Sequence, residues 1–451
     1  MASISSPKKN SALSIKITNR VVAIACALGL FIDGYLLFVS EFADPFINHV
    51  FHPSDFMHGL FQGAAPLGAV FGAMFFGRMC DIIGRKKMLL INLFLFIALG
   101  FLTSIAWNIT SLCMFRFLVG IAIGMDYPIC ASYLVEMTPQ DKSAKYAAIA
   151  MFVNCLSGFF GALVAILVIA VHPKLDAWRL MMASSLLPSV LLLGLRLHIP
   201  ESIKWLQQDN PKNMDGATAD RVVEREIKKT YYKKILSKRF IRTTLLLSGA
   251  WFCFDVSAFS IALFSPFIIM HLHLFTGGDF ITTVMQSLKS ALCIQLIFSL
   301  GAFAGIWAIG YFKSIALQKV GFLFCFVGLL ILCLSHIVSI PFVNYMFIYI
   351  GFFVFNFFAG FGPDITTYLL PAELYPIEVR ATGHGFCTGI AKLGAFLGLM
   401  LLPFLVNAYG VYVVVFILSL FCLAGYSFTS LLVATYGIKD KLPNIVIKDS
   451  F

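Results

Sequence analysis

The sequence predicts an all-α polytopic membrane protein with about twelve transmembrane helices, arranged as two pseudo-symmetric six-helix bundles. Three observations predict it: the composition, a regular train of apolar runs, and a repeat relating the first half of the chain to the second. Of the 451 residues, 60% are hydrophobic and 12% are charged, against roughly 45–50% and about 25% in a soluble domain. Such a chain lacks the polar surface to cover itself in water, so its solvent is lipid. A hydrocarbon core of about 30 Å takes about 20 helical residues to cross. The length therefore allows about twelve crossings and one sizeable loop.

Taken in order, the apolar runs fall near 21–43, 57–79, 88–107, 111–136, 146–171 and 177–196, then 243–270, 282–311, 315–338, 342–370, 382–408 and 411–436. Ahead of the first run, residues 1–20 form a polar, basic tail with Lys8, Lys9, Lys16 and Arg20. No short apolar core with a small-residue cleavage site precedes the first span, which is expected to act as the insertion signal itself. Residues 21–196 read as one six-helix bundle and 243–436 as the other, joined by a charged linker at 197–242 and followed by a tail at 437–451. Lys and Arg collect in alternate loops: Arg85, Lys86 and Lys87, then Lys142 and Lys145, the 197–242 linker, Lys313 and Lys319, and Arg380. The intervening loops carry mostly histidines, such as His49, His52, His172, His271 and His273. The positive-inside rule then places both termini in the cytoplasm, with the protein in the inner or plasma membrane of the cell.

The net charge of +11 would suggest nucleic acid in a soluble protein, but its confinement to alternate loops accounts for it as a topology signal instead. Eleven cysteines are scattered singly through apolar segments and read as small buried hydrophobes rather than a disulfide or metal framework. The chain has no HExxH, GxSxG or P-loop, so no catalytic or metal-ligating constellation is assigned and no ATP-driven pump is expected.

The two halves echo each other in spacing. Thirteen residues separate Arg20 from Asp33, and thirteen separate Arg242 from Asp255. Both aspartates therefore fall about 20 Å into the first helix of their half. In the fourth helix of each half, Asp126 precedes Glu136-x-x-Pro139 and Asp364 precedes Glu373-x-x-Pro376. In the fifth, Lys142 and Asn154 match Arg380 and Lys392, each pair twelve apart. Asp33 thus pairs with Asp255, Asp126 with Asp364, and Asn154 with Lys392 across a pseudo-twofold. Ionisable groups at mid-membrane cost at least ~2.5–3.5 kcal/mol each and persist where they partner one another around a polar cavity. Arg116, in the same helix as Asp126 but nearer the outer surface, is expected to pair with Asp33 and to part from it when the carboxylate takes a proton. Asp33, Arg116 and Asp126 are the candidate proton-coupling residues. Gly158, Gly161, Gly394 and Gly398 are expected to pack helices closely between the halves, and His384 to be a satisfied polar group near the cytoplasmic end.

These motifs resemble the major facilitator superfamily over most of the chain. Gly77-Arg-Met-Cys-Asp81-Ile-Ile-Gly84-Arg85-Lys86-Lys87 is similar to that superfamily's loop between helices two and three, and Gly310-Tyr-Phe-Lys313-Ser314 to a weakened second copy. With Arg116-Phe-Leu-Val-Gly120, Glu136, Pro200-Glu201-Ser202, Glu373 and Arg380 they resemble the sugar-porter-like branch. The resemblance implies a cytoplasmic gating set of Gly77, Asp81, Gly84, Arg85, Lys86, Glu136, Glu373 and Arg380. Asp126-Tyr127-Pro128, Trp251-x-x-x-Asp255, Phe361-Gly-Pro-Asp364 and His384-Gly with Lys392 resemble the phosphate:proton symporters more closely. That implies a substrate site of Tyr127, Asn154, Trp251, Asp255, Phe259, Asp364 and Lys392. Asp364 stands where the family has Asn, Asn154 where it has Gln, and Phe259 where it has Tyr. An added carboxylate beside a dianion is costly, so a zwitterion, sugar, organic anion or cation stays open beside phosphate.

The expected function is secondary active transport of a small polar metabolite by alternating access, as a proton symporter. It would use no cofactor beyond the proton gradient, have lipid as its surroundings and no nucleic-acid partner, and work as a monomer. A proton-independent facilitator or exchanger on the same fold and a non-transporting membrane sensor are the alternatives.

Overall fold

The computed structural model describes residues 7–76, 79–80, 83–138, 143–202, 234–263, 279–337, 340–375 and 379–436, which are helical with no strand among them. Twelve of the helical stretches are long and apolar enough to cross a membrane. The first six are Arg20–Phe51, Asp55–Phe76, Arg85–Ser104, Ile109–Leu134, Lys145–Val171 and Ala177–His198. The second six are Ile241–Ala262, Phe280–Ile309, Ser314–Ile337, Phe342–Leu374, Thr382–Tyr409 and Val411–Thr435. Because the number is even, the first span begins and the twelfth ends on one face, called here the tail face; the opposite one is the far face.

Agreement with the apolar runs is within a few residues, except at the end of the first span. That helix runs through Phe51 rather than stopping at 43, because Asp44 does not end it. Both Asp44 carboxylate oxygens lie 3.0 Å from His58 Nε2 of the second span, and Asn48 one turn on lies 3.0 Å from the same nitrogen. A buried carboxylate with such partners can be tolerated inside a helix. The end expected for the seventh run at 270 and most of the 197–242 linker lie outside the described residues.

Helix starts on the far face are capped by local chemistry. Ser54 accepts from the Met57 amide, and Asn108 and Ser111 form a reciprocal capping box. Asp279 accepts from Thr282 N at 3.3 Å. Each satisfies amides that the first turn of a helix leaves unpaired.

Within each half, glycines let two helix backbones touch. A Cβ on Gly120 or Gly124 of the fourth span would collide with the Ala65 or Ala69 carbonyl of the second. In the other half, a Cβ on Gly301 of the eighth span would collide with the Phe357 carbonyl of the tenth, and one on Gly360 with that of Phe298. Second and fourth spans therefore interlock as eighth and tenth do. Gly120→Val is expected to cost about 1–3 kcal/mol through forced separation of the two helices. Thermal unfolding of the purified protein checks this, with Gly194→Ala as the control, since a Cβ there meets nothing within 4 Å. Equal melting of both variants would refute the interlock.

The halves meet along two seams, the second span against the eleventh and the fifth against the eighth. On the first seam Gly59 abuts the Met400 backbone, Gly63 abuts Phe396, and Gly385 and Gly389 abut Ala73 and Met74. On the other, Gly158 abuts Gln295 and Ser299 donates to the Cys155 carbonyl at 3.3 Å. Of the four glycines expected between the halves, only Gly158 is there. Gly161 packs on Phe42 of its own half, and Gly394 and Gly398 pack on Phe252, Val256 and Ser260 of theirs. The fifth and eleventh helices each press one face on the first helix of their own half, and these glycines lie on that face.

Candidate functional site

The centre of the molecule is built from charged residues on the first, fourth, sixth, seventh, tenth and eleventh spans and polar ones on the fifth. Lys392 Nζ lies 3.0 Å from Asp255 Oδ2, with both residues buried. The ammonium also sits 4.4 Å from the Phe259 ring centre and 5.1 Å from that of Tyr127. Here the eleventh span reaches the seventh. The pseudo-twofold equivalent is present in the other half, where Asn154 of the fifth span donates to the Leu30 carbonyl of the first at 2.5 Å. The same helix pair is bridged at the same level, by an ion pair in one half and an amide in the other.

Asp364 takes its partner from across the molecule: the Cys155 thiol donates to its Oδ2 at 3.0 Å. Asp255 and Lys392 lie within electrostatic reach of it. Asp364 is only partly buried, whereas Asp33, Asp126 and Asp255 are buried; it therefore borders open space. It ends a five-residue π-helical turn, Gly360–Asp364, that contains Pro363. Thr366 and Thr367 hydroxyls donate back to the Gly362 and Pro363 carbonyls at 2.8 and 2.7 Å, satisfying acceptors that the irregular turn would leave bare.

Aromatic rings wall this centre. Tyr368, one turn after Asp364, stands 6.0 Å from Tyr127, 6.5 Å from Trp251 and 4.9 Å from His384, each edge to face. Trp251 stands 5.6 Å from His384. His384 is satisfied as expected, with Nε2 at 3.1 Å from the Tyr368 carbonyl and Nδ1 at 3.2 Å from Thr388. It nevertheless belongs to this wall rather than to an end of the molecule. Six of the seven expected substrate residues thus gather around one centre, through direct contacts or the bridging Tyr368, while Asn154 is held on the Leu30 carbonyl of the first span.

The expected Arg116–Asp33 pair does not form. Arg116 Nη1 donates to the Leu36 carbonyl at 2.6 Å, and its Nε and Nη2 have no hydrogen-bond partner among the described residues. The reason is depth. Arg116 stands ten residues before Asp126, about 15 Å along the helix, while Asp33 lies at the level of Asp126 and within its electrostatic reach. Asp126 is instead held by Arg196, which the sequence reading passed over as the end of an apolar run. Arg196 Nη2 lies 3.1 and 3.0 Å from the two Asp126 oxygens, and Nη1 donates to the Leu89 carbonyl at 2.9 Å. Neither side chain has any exposure. Gly29 of the first span makes the room, since a Cβ there would collide with the guanidinium. Asp33 remains: it is wholly buried and neither of its oxygens has a hydrogen-bond partner among the described residues.

At the tail face, Arg85 donates to Glu136 through Nη2 at 2.9 Å and Nε at 3.3 Å. Its backbone amide and that of Lys86 donate to Glu201 Oε1 at 2.8 and 3.1 Å, and the Ser202 hydroxyl donates to Glu136. Gly84 precedes this helix with φ +108°, a conformation that suits glycine and strains other residues. In the second copy Glu373 accepts from Ser314 at 3.2 Å and Arg380 Nε donates to the Tyr375 carbonyl at 3.2 Å. Gly77 and Asp81 lie outside the described residues. At the far face the halves touch, where Asn407 donates to Asp55 at 3.1 Å and His49 stacks on Phe280 at 4.4 Å.

Residues 22–439 match the family described as "Sugar (and other) transporter". A putative inorganic phosphate transporter, 1-13, of Oryza sativa subsp. japonica is 27% identical, over 92% of this chain and 89% of that one. The putative metabolite transport protein YaaU of Escherichia coli K12 is also 27% identical, over 85% and 84%. Among solved structures, the proton:xylose symporter XylE bound to 6-bromo-6-deoxy-D-glucose superposes with a TM-score of 0.73 at 18% identity, covering 93% of this chain and 96% of that one. A partially occluded inward-open form of the xylose transporter XylE from E. coli gives 0.71 at 18%, covering 92% and 98%. The fold is that of the major facilitator transporters, as the motifs imply.

Proposed function

The chain belongs to the sugar (and other) transporter family and is a secondary active transporter in the membrane; from that premise we propose that it is a proton symporter for a small polar metabolite, with Asp33 as the proton carrier. One observation carries this reading. The structure neutralises Asp126 with Arg196 and Asp255 with Lys392, yet leaves the wholly buried Asp33 carboxylate without a hydrogen-bond partner among the described residues. An isolated carboxylate at that depth is costly as an anion and cheap as an acid. Asp33 is therefore the central group whose charge is free to change during a cycle, while Arg116 of the fourth span stays on the Leu36 carbonyl about 15 Å along its helix from that level. The tail face is cytoplasmic in this reading, by the placement of Arg85, Lys86 and Lys313, and the Arg85–Glu136–Glu201 cluster braces it. A monomer holds the whole site, and no cofactor takes part.

The test is uptake into proteoliposomes with an imposed proton gradient, using phosphate, D-xylose, ethanolamine and β-alanine as probes. Asp33→Asn is expected to bring gradient-driven accumulation down to the level seen without a gradient, while exchange of labelled for unlabelled solute continues. Wild-type uptake indifferent to the gradient, or accumulation unimpaired by Asp33→Asn, would sink the proposal.

A further inference from the structure

Resting on that reading and going on to its cargo, we propose that the central site recognises an ammonium group, held against Asp364 and the aromatic wall formed by Tyr368, Tyr127 and Trp251. The argument begins with charge. Once Asp126–Arg196 and Asp255–Lys392 are formed, the carboxylates of the centre without a cationic partner among the described residues are Asp33 and Asp364. A proton on Asp33 leaves Asp364. The nearby ammonium among the described residues, Lys392, is already paired with Asp255 and covered by two rings. A dianion entering here would face an uncompensated carboxylate and a cation with no spare charge. A cargo with an ammonium group completes the balance instead.

Asp364 is also the most accessible of the four central carboxylates. Its donor among the described residues is a thiol, a weak one that an N–H donor displaces readily. Independent of the acidic groups, the Tyr368 hydroxyl is buried and has no hydrogen-bond partner among the described residues. It stands one helical turn from Asp364, within the ring cluster. A buried hydroxyl is rarely left unpaired, and a donor-bearing solute that reaches the ring cluster would supply a partner. The rings add to the selection, because their faces attract cations and give a phosphate nothing.

The cargo is either a simple amine or a zwitterion whose anionic end opens the Lys392–Asp255 pair. Equilibrium binding of labelled ethanolamine, β-alanine, phosphate and D-xylose to the purified full chain separates these. Wild type is expected to bind one or both amines saturably, and phosphate and xylose at least about tenfold more weakly, a difference of about 1.4 kcal/mol. Asp364→Asn is expected to weaken amine binding by about tenfold or more, and Asp364→Glu to restore most of it. A preference for β-alanine that Lys392→Met abolishes identifies the zwitterion; equal binding of both identifies the simple amine. Binding of phosphate or xylose in preference to the amines, no amine binding at all, or amine binding indifferent to Asp364→Asn would each overturn the proposal. The wild-type comparison decides even where a variant fails to fold. Amine uptake that ignores the proton gradient would leave this inference standing and remove the coupling, while gradient-driven phosphate uptake would do the reverse.

Discussion

Replacing Arg196 by methionine is expected to destabilise the protein by about 3–5 kcal/mol, the range for removing one partner of a buried ion pair. The guanidinium occupies a space shared by four spans: it binds Asp126 of the fourth, donates to the Leu89 carbonyl of the third, belongs to the sixth, and fits against Gly29 of the first. Methionine fills much of the volume but leaves Asp126 as a lone charge with no exposure. The penalty belongs to that stranded carboxylate rather than to the lost attraction. The double variant Arg196→Met with Asp126→Leu is therefore expected to recover most of the loss. Thermal unfolding of wild type, both single variants and the double variant reads the cycle. If Arg196→Met melts with wild type, the pair is not the internal pin described here.

The second large effect is expected at Lys392. Lys392→Met leaves the buried Asp255 carboxylate without its cation and removes the ammonium that sits against the rings of Tyr127 and Phe259. Transport is expected to fall about a hundredfold or more, equivalent to the lower end of the cost of breaking a buried pair. Adding Asp255→Asn is expected to return the folded yield without returning transport. Uptake rates normalised to folded protein, measured for both variants, separate the two contributions. Recovery of transport in the double variant would mean the pair serves the fold alone.

What the sequence made legible was depth and symmetry. Equal spacings placed Asp33 level with Asp255, Asp126 with Asp364 and Asn154 with Lys392, and the structure shows the last pair bridging equivalent helices. What it hid was rotation about each helix axis, which decides partners. Arg116, about 15 Å along its helix from the level of Asp33, turns its guanidinium to the Leu36 carbonyl of the first span. Arg196 stands two residues before the end of its span, where an arginine ordinarily extends to the headgroups, and nothing in spacing reveals that it turns inward. Tyr368 offered a faint signal, since it shares a helical face with Asp364 at four residues' distance. Cys155 offered none: its role depends on the opposite half. The glycine contacts between the second and fourth spans were hidden for the same reason, because a glycine states what is absent and not what approaches.

The π-helical turn at Gly360–Asp364 has a mechanical consequence. Pro363 has no amide hydrogen, and the wider turn carries fewer regular backbone bonds across it, so the tenth helix is least stiff where Asp364 sits. Residues Ile365–Leu374 beyond it form a short separate lever that carries Tyr368. Bending at this joint moves Asp364 and Tyr368 together relative to Lys392, which rides on the neighbouring eleventh helix. Grasping the solute and changing the shape of the pathway then become one displacement, and no relay is needed to carry news of occupancy from the centre to the gates.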